Sequence, residues 1–256
     1  MSIERCQRCM GGTFQNLIAG ECLPVEAFGD VAGKQVQVAS IGLNPALNEF
    51  FQGNISVEQN QRLAMLSDYR IASRVDLKDT DLEDAGKKRK QYFNNPQRGW
   101  HLYFEKMESF FSRVQPAWSY VSGRVVHIDL VACATKVRWG DLSGDCQSVL
   151  MNNCRDYFLA TLAKLPNGTL LLLDGKAVMT EMQKLGLPFE KEGGDQRIDV
   201  TGNTGWAGKL TCQEKIFPFR GWSIPVGRMT PVIRYNLAIW MGGTMWPPLP
   251  FLPLSK

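Results

Sequence analysis

Short apolar runs alternate with longer amphipathic segments along the 256-residue chain. Each run has the length of a buried strand and closes on a turn-forming residue such as Asn, Asp or Gly. The runs predict strands at residues 35–43, 125–131, 169–173 and 222–226. The amphipathic segments predict helices at residues 57–65, 100–114, 147–165, 176–185 and 232–241.

This alternation predicts an α/β fold of three layers, α/β/α, with a central, mainly parallel four-stranded sheet. We expect a single domain over residues 1–256, with a charged insertion at about 76–95 and a proline-rich, extended tail at 246–256. The insertion is expected to be a mobile, solvated loop. The alternative is an arm that contacts DNA through Lys87, Lys88, Arg89 and Lys90.

Composition narrows the classes of function. The net charge of +4 is compatible with a polyanionic partner without showing one. Seven scattered cysteines favour reduced thiols, and no apolar run reaches the length of a membrane helix, so we expect a cytoplasmic protein without membrane contact. Cys6 and Cys9 form a CxxC pair with no second pair of matching spacing, so no metal or other cofactor is expected. Two histidines leave little for histidine-based chemistry.

The first predicted strand ends in GLNPA at residues 42–46. This segment resembles the first motif of the uracil-DNA glycosylase superfamily, which reads GLNPG in the mismatch-specific, thymine-processing branch and GQDPY in the uracil-specific branch. The resemblance implies that Asn44 positions the attacking water. It also implies a base pocket that includes Gly42, Leu43 and, as the ring that stacks on the flipped base, Phe50 or Phe51. In the alternative, Asn-Pro ends a strand and the two phenylalanines belong to the core.

Asp129 lies near the end of the second predicted strand, where the resemblance places the asparagine of uracil-specific relatives. An ionised carboxylate only accepts hydrogen bonds and therefore favours the exocyclic amino group of cytosine. A carboxyl group protonated through burial would instead donate to N3. Alternatively, Asp129 caps a loop or pairs with Lys136 or Arg138. Ala46 stands where GQDPY has a tyrosine and leaves space beside C5, so the two residues together suggest a C5-modified cytosine, such as a hydroxymethylated or glycosylated phage cytosine.

Residues 227–231 are similar to a divergent form of the family motif HPSPLS. By this resemblance, Arg228 replaces the histidine that supports the leaving base, although it would equally suit a phosphate. Thr230 at a helix start would contact phosphate, and Met229 or Val232 would wedge into the duplex. The alternative is an ordinary capped helix.

Lys136, Arg138 and Lys176 are further candidates for DNA contacts, Lys176 together with the backbone amides around Gly175. The sequence, with its resemblance, therefore predicts a monomeric, monofunctional DNA glycosylase that leaves an abasic site, with a C5-modified cytosine as favoured substrate. The alternatives are a uracil or mismatched-thymine repair glycosylase, a non-catalytic module that binds modified DNA, and a nucleoside hydrolase. Asn44 favours catalysis, because it has no purpose in binding unless a water must be placed.

Overall fold

One mixed sheet organises the part of the chain that the computed structural model describes, residues 3–4, 6–10, 13–50, 63–94, 102–198 and 202–242. The strands are β1 (Val38–Gly42), β2 (Val125–Asp129), β3 (Leu170–Asp174), β4 (Phe189–Lys191), β5 (Gln196–Arg197), β6 (Thr204–Cys212) and β7 (Lys215–Trp222). The helices are α1 (Asp79–Lys90), α2 (Leu102–Val114), α3 (Gly144–Lys164), α4 (Lys176–Lys184) and α5 (Pro231–Trp240).

The sheet has the strand order β2-β1-β3-β7-β6-β4, with β5 also paired to β6. Neighbours from β2 to β7 run parallel, whereas β6 is antiparallel to β7, β4 and β5. The predicted α/β class with a mainly parallel central sheet is confirmed, and the four parallel strands are its core. The antiparallel extension β4 to β6 was not predicted.

Strand alternation divides the apolar residues between two layers of helices. Leu171 and Leu173 of β3 belong to the core under α3 and α4, while Leu172 belongs to the core under α2 and α5. Successive side chains of a strand point to opposite faces, so each strand supplies both cores. On the α2 and α5 face, Ser40 of β1 lies opposite His127 of β2 in the sheet register.

Four of the five predicted helices are confirmed to within a few residues at α2, α3, α4 and α5. Residues 63–65 of the predicted first helix are not helical, and residues 57–62 lie outside the described ranges. The strand predicted at 222–226 is wrong, because β7 ends at Trp222 and a turn follows. Among the described residues, no helix is long and apolar enough to cross a membrane.

The charged segment at 76–95 contains the helix α1, so its prediction as a loop is wrong. Three of its four predicted DNA-contacting basic residues form ion pairs within the protein, which leaves them less available to phosphates. These pairs are Lys88 with Asp68 and Asp84, Arg89 with Glu4 and Glu26, and Lys90 with Asp30. The proline-rich tail at 246–256 lies outside the described residues.

Candidate active site

A pocket of about 270 Å³ lies at the carboxyl ends of β1, β2 and β3. This edge of a parallel sheet is where α/β proteins bind ligands. Five residues singled out from the sequence line the pocket together, namely Gly42, Leu43, Asn44, Ala46 and Asp129. Because these five residues line one pocket, this edge of the sheet is the best candidate for the active site.

The side-chain amide of Asn44 has a defined orientation. Its Nδ2 donates to the Thr135 hydroxyl at 3.0 Å and to the Pro45 carbonyl at 3.2 Å. The Thr135 hydroxyl donates its own hydrogen to Val137 O at 2.7 Å, so toward Asn44 it acts as an acceptor. The carbonyl oxygen Oδ1 of Asn44 is therefore the atom left to accept a hydrogen bond from a water or a ligand.

Asp129 lies beside His127 on the same face of β2. Asp129 Oδ1 is 3.2 Å from His127 Nε2, and both side chains are buried. The other ring nitrogen of His127, Nδ1, is 2.8 Å from the Ser40 hydroxyl, which is 2.8 Å from the hydroxyl of Tyr120. Burial raises the pKa of Tyr120 well above its ordinary value. Four polar side chains thus form a buried chain that ends in the pocket wall.

Gly42 leaves the space that the side chains of Asp129 and His127 occupy next to β1. A Cβ at position 42 would lie 2.3 Å from Asp129 Oδ1 and 2.9 Å from His127 Nε2. Both distances are below any ordinary van der Waals contact, and Asp129 is the register partner of Gly42 across the parallel pair. Glycine is therefore the residue that lets the aspartate and histidine occupy the end of β2.

Asp174, at the end of β3, is a further polar group in the wall. Its Oδ1 accepts hydrogen bonds from Trp222 Nε1 and from the backbone N–H of Val226, each at 2.8 Å. Burial raises the pKa of Asp174, and these hydrogen bonds oppose that rise. The carboxyl group ties the end of β7 and the following turn to β3, and so shapes one side of the pocket.

The pocket wall is rich in hydrogen-bond acceptors. Glu49 is buried there and accepts a hydrogen bond from the Tyr92 hydroxyl. With Asp129 and Asp174, three carboxyl side chains line the pocket, and its described lining contains no lysine or arginine. Such a wall favours ligands that donate hydrogen bonds or develop positive charge.

The aromatic residues of the pocket differ from those expected. Phe50 is 0% exposed and packs in the core, so its predicted stacking role is wrong. Phe51 lies outside the described residues. Instead, Phe28, Tyr103 and Phe104 line the pocket and surround the His127 ring, with ring centroids 5.5, 5.6 and 5.1 Å from it.

The residues around the start of α5 were predicted to contact the base and the DNA, and the structure agrees with only some of these roles. Arg228 is exposed but is not in the described pocket wall, so its expected contact with the leaving base is not found. Met229 is 4% exposed and belongs to the core, which makes its role as a wedge wrong. Thr230 is the N-cap of α5 and accepts from Ile233 N at 3.3 Å. Val232 is 64% exposed and stays a candidate wedge.

The remaining basic candidates are surface residues. Lys136, Arg138 and Lys176 are exposed and lie outside the pocket wall. Two of the backbone amides predicted to contact phosphate are already used, because Gly175 N–H donates to Leu173 O and Lys176 N–H donates to the Ser223 carbonyl. The side chains of the three basic residues therefore stay predicted DNA contacts, without these two amides.

Several residues of this site were not predicted from the sequence, among them His127, Glu49, Tyr103 and Thr135. His127 precedes Asp129 by two positions, so the period of a strand already placed both on one face. The other three, Glu49, Tyr103 and Thr135, come from segments without a motif. Only the fold brings them to the end of the sheet.

Searches of protein-family models, curated proteins and solved structures found no match to this chain. The resemblance to the uracil-DNA glycosylase superfamily therefore rests on the residues of the chain itself. Of its motifs, the one at residues 42–46 lies in the pocket.

A separate group of three buried thiols, Cys9, Cys133 and Cys154, has its sulfur atoms within 4.8 Å of one another and has the donors to hold a metal ion. Hydrogen bonds from Cys154 and Cys9, and the nearby Arg74 guanidinium, lower the pKa of Cys133 well below its ordinary value. The absence of a second cysteine pair close in sequence does not exclude a metal here, because the fold brings the distant Cys133 and Cys154 to Cys9.

Proposed function

We propose that the protein is a monofunctional DNA glycosylase, which flips a base out of DNA, hydrolyses its N-glycosidic bond and leaves an abasic site. One observation carries the proposal: Asn44 and Asp129 line the same pocket from the ends of neighbouring strands. A glycosylase needs a residue that holds water near C1′ and another that recognises the base. The pocket supplies a candidate for each.

In this reaction the bond from C1′ to the base nitrogen breaks, and its electron pair leaves with the base, which then takes up a proton. The water oxygen bonds to C1′ and gives up a proton. Asn44 Oδ1 is suited to orient that water but is too weak a base to take its proton fully in the transition state. We therefore expect a slow enzyme that depends on the departure of the base.

The carboxyl groups of the pocket support this dissociative route. Glycosidic cleavage passes through a cation-like sugar, and ionised carboxylates fixed nearby stabilise positive charge without reorganisation. Asp129, Glu49 and Asp174 are the candidates for this electrostatic role. The expected cationic support of the departing base by Arg228 is not part of the proposal, since that side chain lies outside the described pocket wall.

A C5-modified cytosine is the proposed substrate. The acceptor-rich wall suits the N4 amino group of cytosine better than the O4 oxygen of uracil. Ala46 lines the pocket and is exposed, so it leaves space for a substituent on C5. Tyr103 is half-buried in the wall and takes over the stacking role first expected of Phe50.

Purified full-length protein incubated with oligonucleotides tests this function. The set carries uracil, a G·T mismatch, cytosine, 5-hydroxymethylcytosine or glucosylated 5-hydroxymethylcytosine, each in single and double strands, and abasic sites are revealed by alkaline cleavage. We expect abasic sites in the modified-cytosine strands. Release of uracil alone would contradict the proposed substrate, and release of no base from any strand would contradict the glycosylase function.

A further inference from the structure

Hydrogen bonds link Tyr120, Ser40, His127 and Asp129 in a buried chain. Counting donors and acceptors along this chain indicates which group donates in each bond. Within the described part of the chain, the hydroxyl of Tyr120 has the Ser40 hydroxyl as its hydrogen-bond partner, at 2.8 Å. Burial keeps Tyr120 protonated by raising its pKa, and a buried donor without an acceptor costs about 1–3 kcal/mol. Tyr120 therefore donates to Ser40.

The hydrogen of Ser40 then has two possible acceptors. The Val126 carbonyl lies at 3.3 Å and His127 Nδ1 at 2.8 Å, and we assign the hydrogen to the shorter contact, the one with Nδ1. A ring nitrogen that accepts carries no proton, and neutral imidazole then has its proton on the other nitrogen. His127 Nε2 therefore donates to Asp129 Oδ1, 3.2 Å away.

We propose that His127, oriented by Ser40 and Tyr120, holds Asp129 as a hydrogen-bond acceptor and thereby makes the pocket select bases that carry an exocyclic amino group. Asp129 Oδ1 receives the hydrogen bond from His127, and Asp129 Oδ2 has no partner within the described residues and is left for the base edge. An acceptor at this place attracts the N4 amino group of cytosine and repels the O4 oxygen of uracil.

This inference rests on the proposed function and deepens it, since it assigns base selection to a positioning residue outside the motif at residues 42–46. It uses the ionised form of Asp129, one of the two forms that the sequence left open, because in that form Oδ2 can only accept a hydrogen bond.

Nitrogen-15 NMR of the histidine rings in the wild-type protein tests the tautomer without any need for activity. The chain has two histidines, His101 and His127, so a His101→Gln variant assigns the signals. We expect a proton on Nε2 of His127 and a bare Nδ1. A bare Nε2 would overturn the inference, whether or not the protein releases bases.

A Ser40→Ala variant tests the consequence for selectivity. It removes the donor to Nδ1 and frees the ring to change tautomer, so the rate of modified-cytosine release relative to uracil release should fall about tenfold, the scale of one hydrogen bond to a base edge. Thr161→Val is the matched control, because Thr161 is 1% exposed and its hydroxyl bonds to Tyr157 O of α3 and to Glu26, outside the pocket wall. An equal loss on both bases would show a merely structural role and overturn the inference.

Measuring DNA binding without cleavage tests this inference independently of the proposed glycosylase function. Duplexes that carry 2′-fluoroarabino analogues of cytosine or uracil resist cleavage, so their affinities report base preference alone. We expect tighter binding of the cytosine analogue, and loss of that preference in Ser40→Ala. If the wild-type protein prefers cytosine here but releases no base, the glycosylase function fails and the selection mechanism stands. Equal affinity for both analogues would overturn the selection mechanism.

Discussion

The hydroxyl of Thr135 accepts a hydrogen bond from Asn44 Nδ2 at 3.0 Å and passes its own hydrogen to the Val137 carbonyl at 2.7 Å. Because this hydrogen is already used, the amide of Asn44 has to present its NH₂ group to Thr135. The amide oxygen is thereby turned away from Thr135. Thr135 is thus a positioning residue for the proposed water site.

Replacing Thr135 with valine keeps the shape of the side chain but removes the hydroxyl. We expect single-turnover base release to fall about tenfold or more, the scale of misplaced reacting groups, while Thr135→Ser retains most of the rate. Thr169→Val is the matched control, since Thr169 is buried just before β3 and its hydroxyl bonds to Pro166 O. Equal rates for the valine and serine variants would show that the Thr135 hydroxyl does not position Asn44.

Gly42→Ala should disable the site while the protein still folds. The added Cβ meets Asp129 Oδ1 at 2.3 Å, so the carboxylate and His127 must move. We expect base release to fall about 100-fold and stability to fall by about 1–3 kcal/mol, as for an overpacked core. Circular dichroism and denaturant titration measure the second effect. Gly140→Ala, where a Cβ meets nothing within 4 Å, is the control, and wild-type activity in Gly42→Ala would contradict the site geometry.

Ala46→Tyr should narrow the pocket on the side where a C5 substituent is expected. The variant should lose activity on glucosylated 5-hydroxymethylcytosine and keep activity on bases without a substituent, because the new ring fills the open space at position 46. Ala46→Ser, which adds a single oxygen atom, controls for substitution at this site. Uniform loss across all bases, measured as kcat/KM on matched duplexes, would argue against a steric role.

The exposed basic residues predict a steep effect of salt on DNA affinity. Lys136, Arg138, Lys176 and Arg228 are all exposed, and an alanine substitution that removes one phosphate-binding side chain should reduce the slope of log Kd against log salt by about one. Fluorescence anisotropy between about 50 and 200 mM salt measures this slope. Lys209→Ala is the control, because Lys209 is an exposed lysine of β6 that already pairs with Glu192. Affinity that does not change with salt would exclude binding to the DNA backbone.

The parts of the fold visible in the sequence are those where the local pattern and the final structure agree. The strands β1, β2 and β3, which end at Gly42, Asp129 and Asp174, are short, buried and mostly apolar, and their ends form the pocket. The hairpin of β6 and β7 was not visible, because Pro218 and three glycines interrupt the pattern of strands that are nevertheless central in the sheet.

Other residues could not be placed because their roles depend on distant segments. Phe50 and Met229 have the right types for stacking and wedging, yet both are packed in the core under α2 and α5. Sequence spacing does not distinguish a buried ring from one that lines a pocket. Likewise, Cys9 meets Cys154 through the fold, with 3.8 Å between the sulfur atoms across 145 positions of sequence.

The central claim is that Asn44 positions the attacking water. Its most direct test measures both single-turnover base release and DNA affinity for the Asn44→Ala variant. We expect release from the wild-type protein's preferred strand to fall at least about 100-fold, with nearly unchanged affinity for DNA, because Asn44 places the water rather than the DNA. Asn48→Ala, an exposed asparagine four positions along, is the matched control. Full activity of Asn44→Ala would contradict the account, and a parallel loss of activity and binding would show that Asn44 is structural.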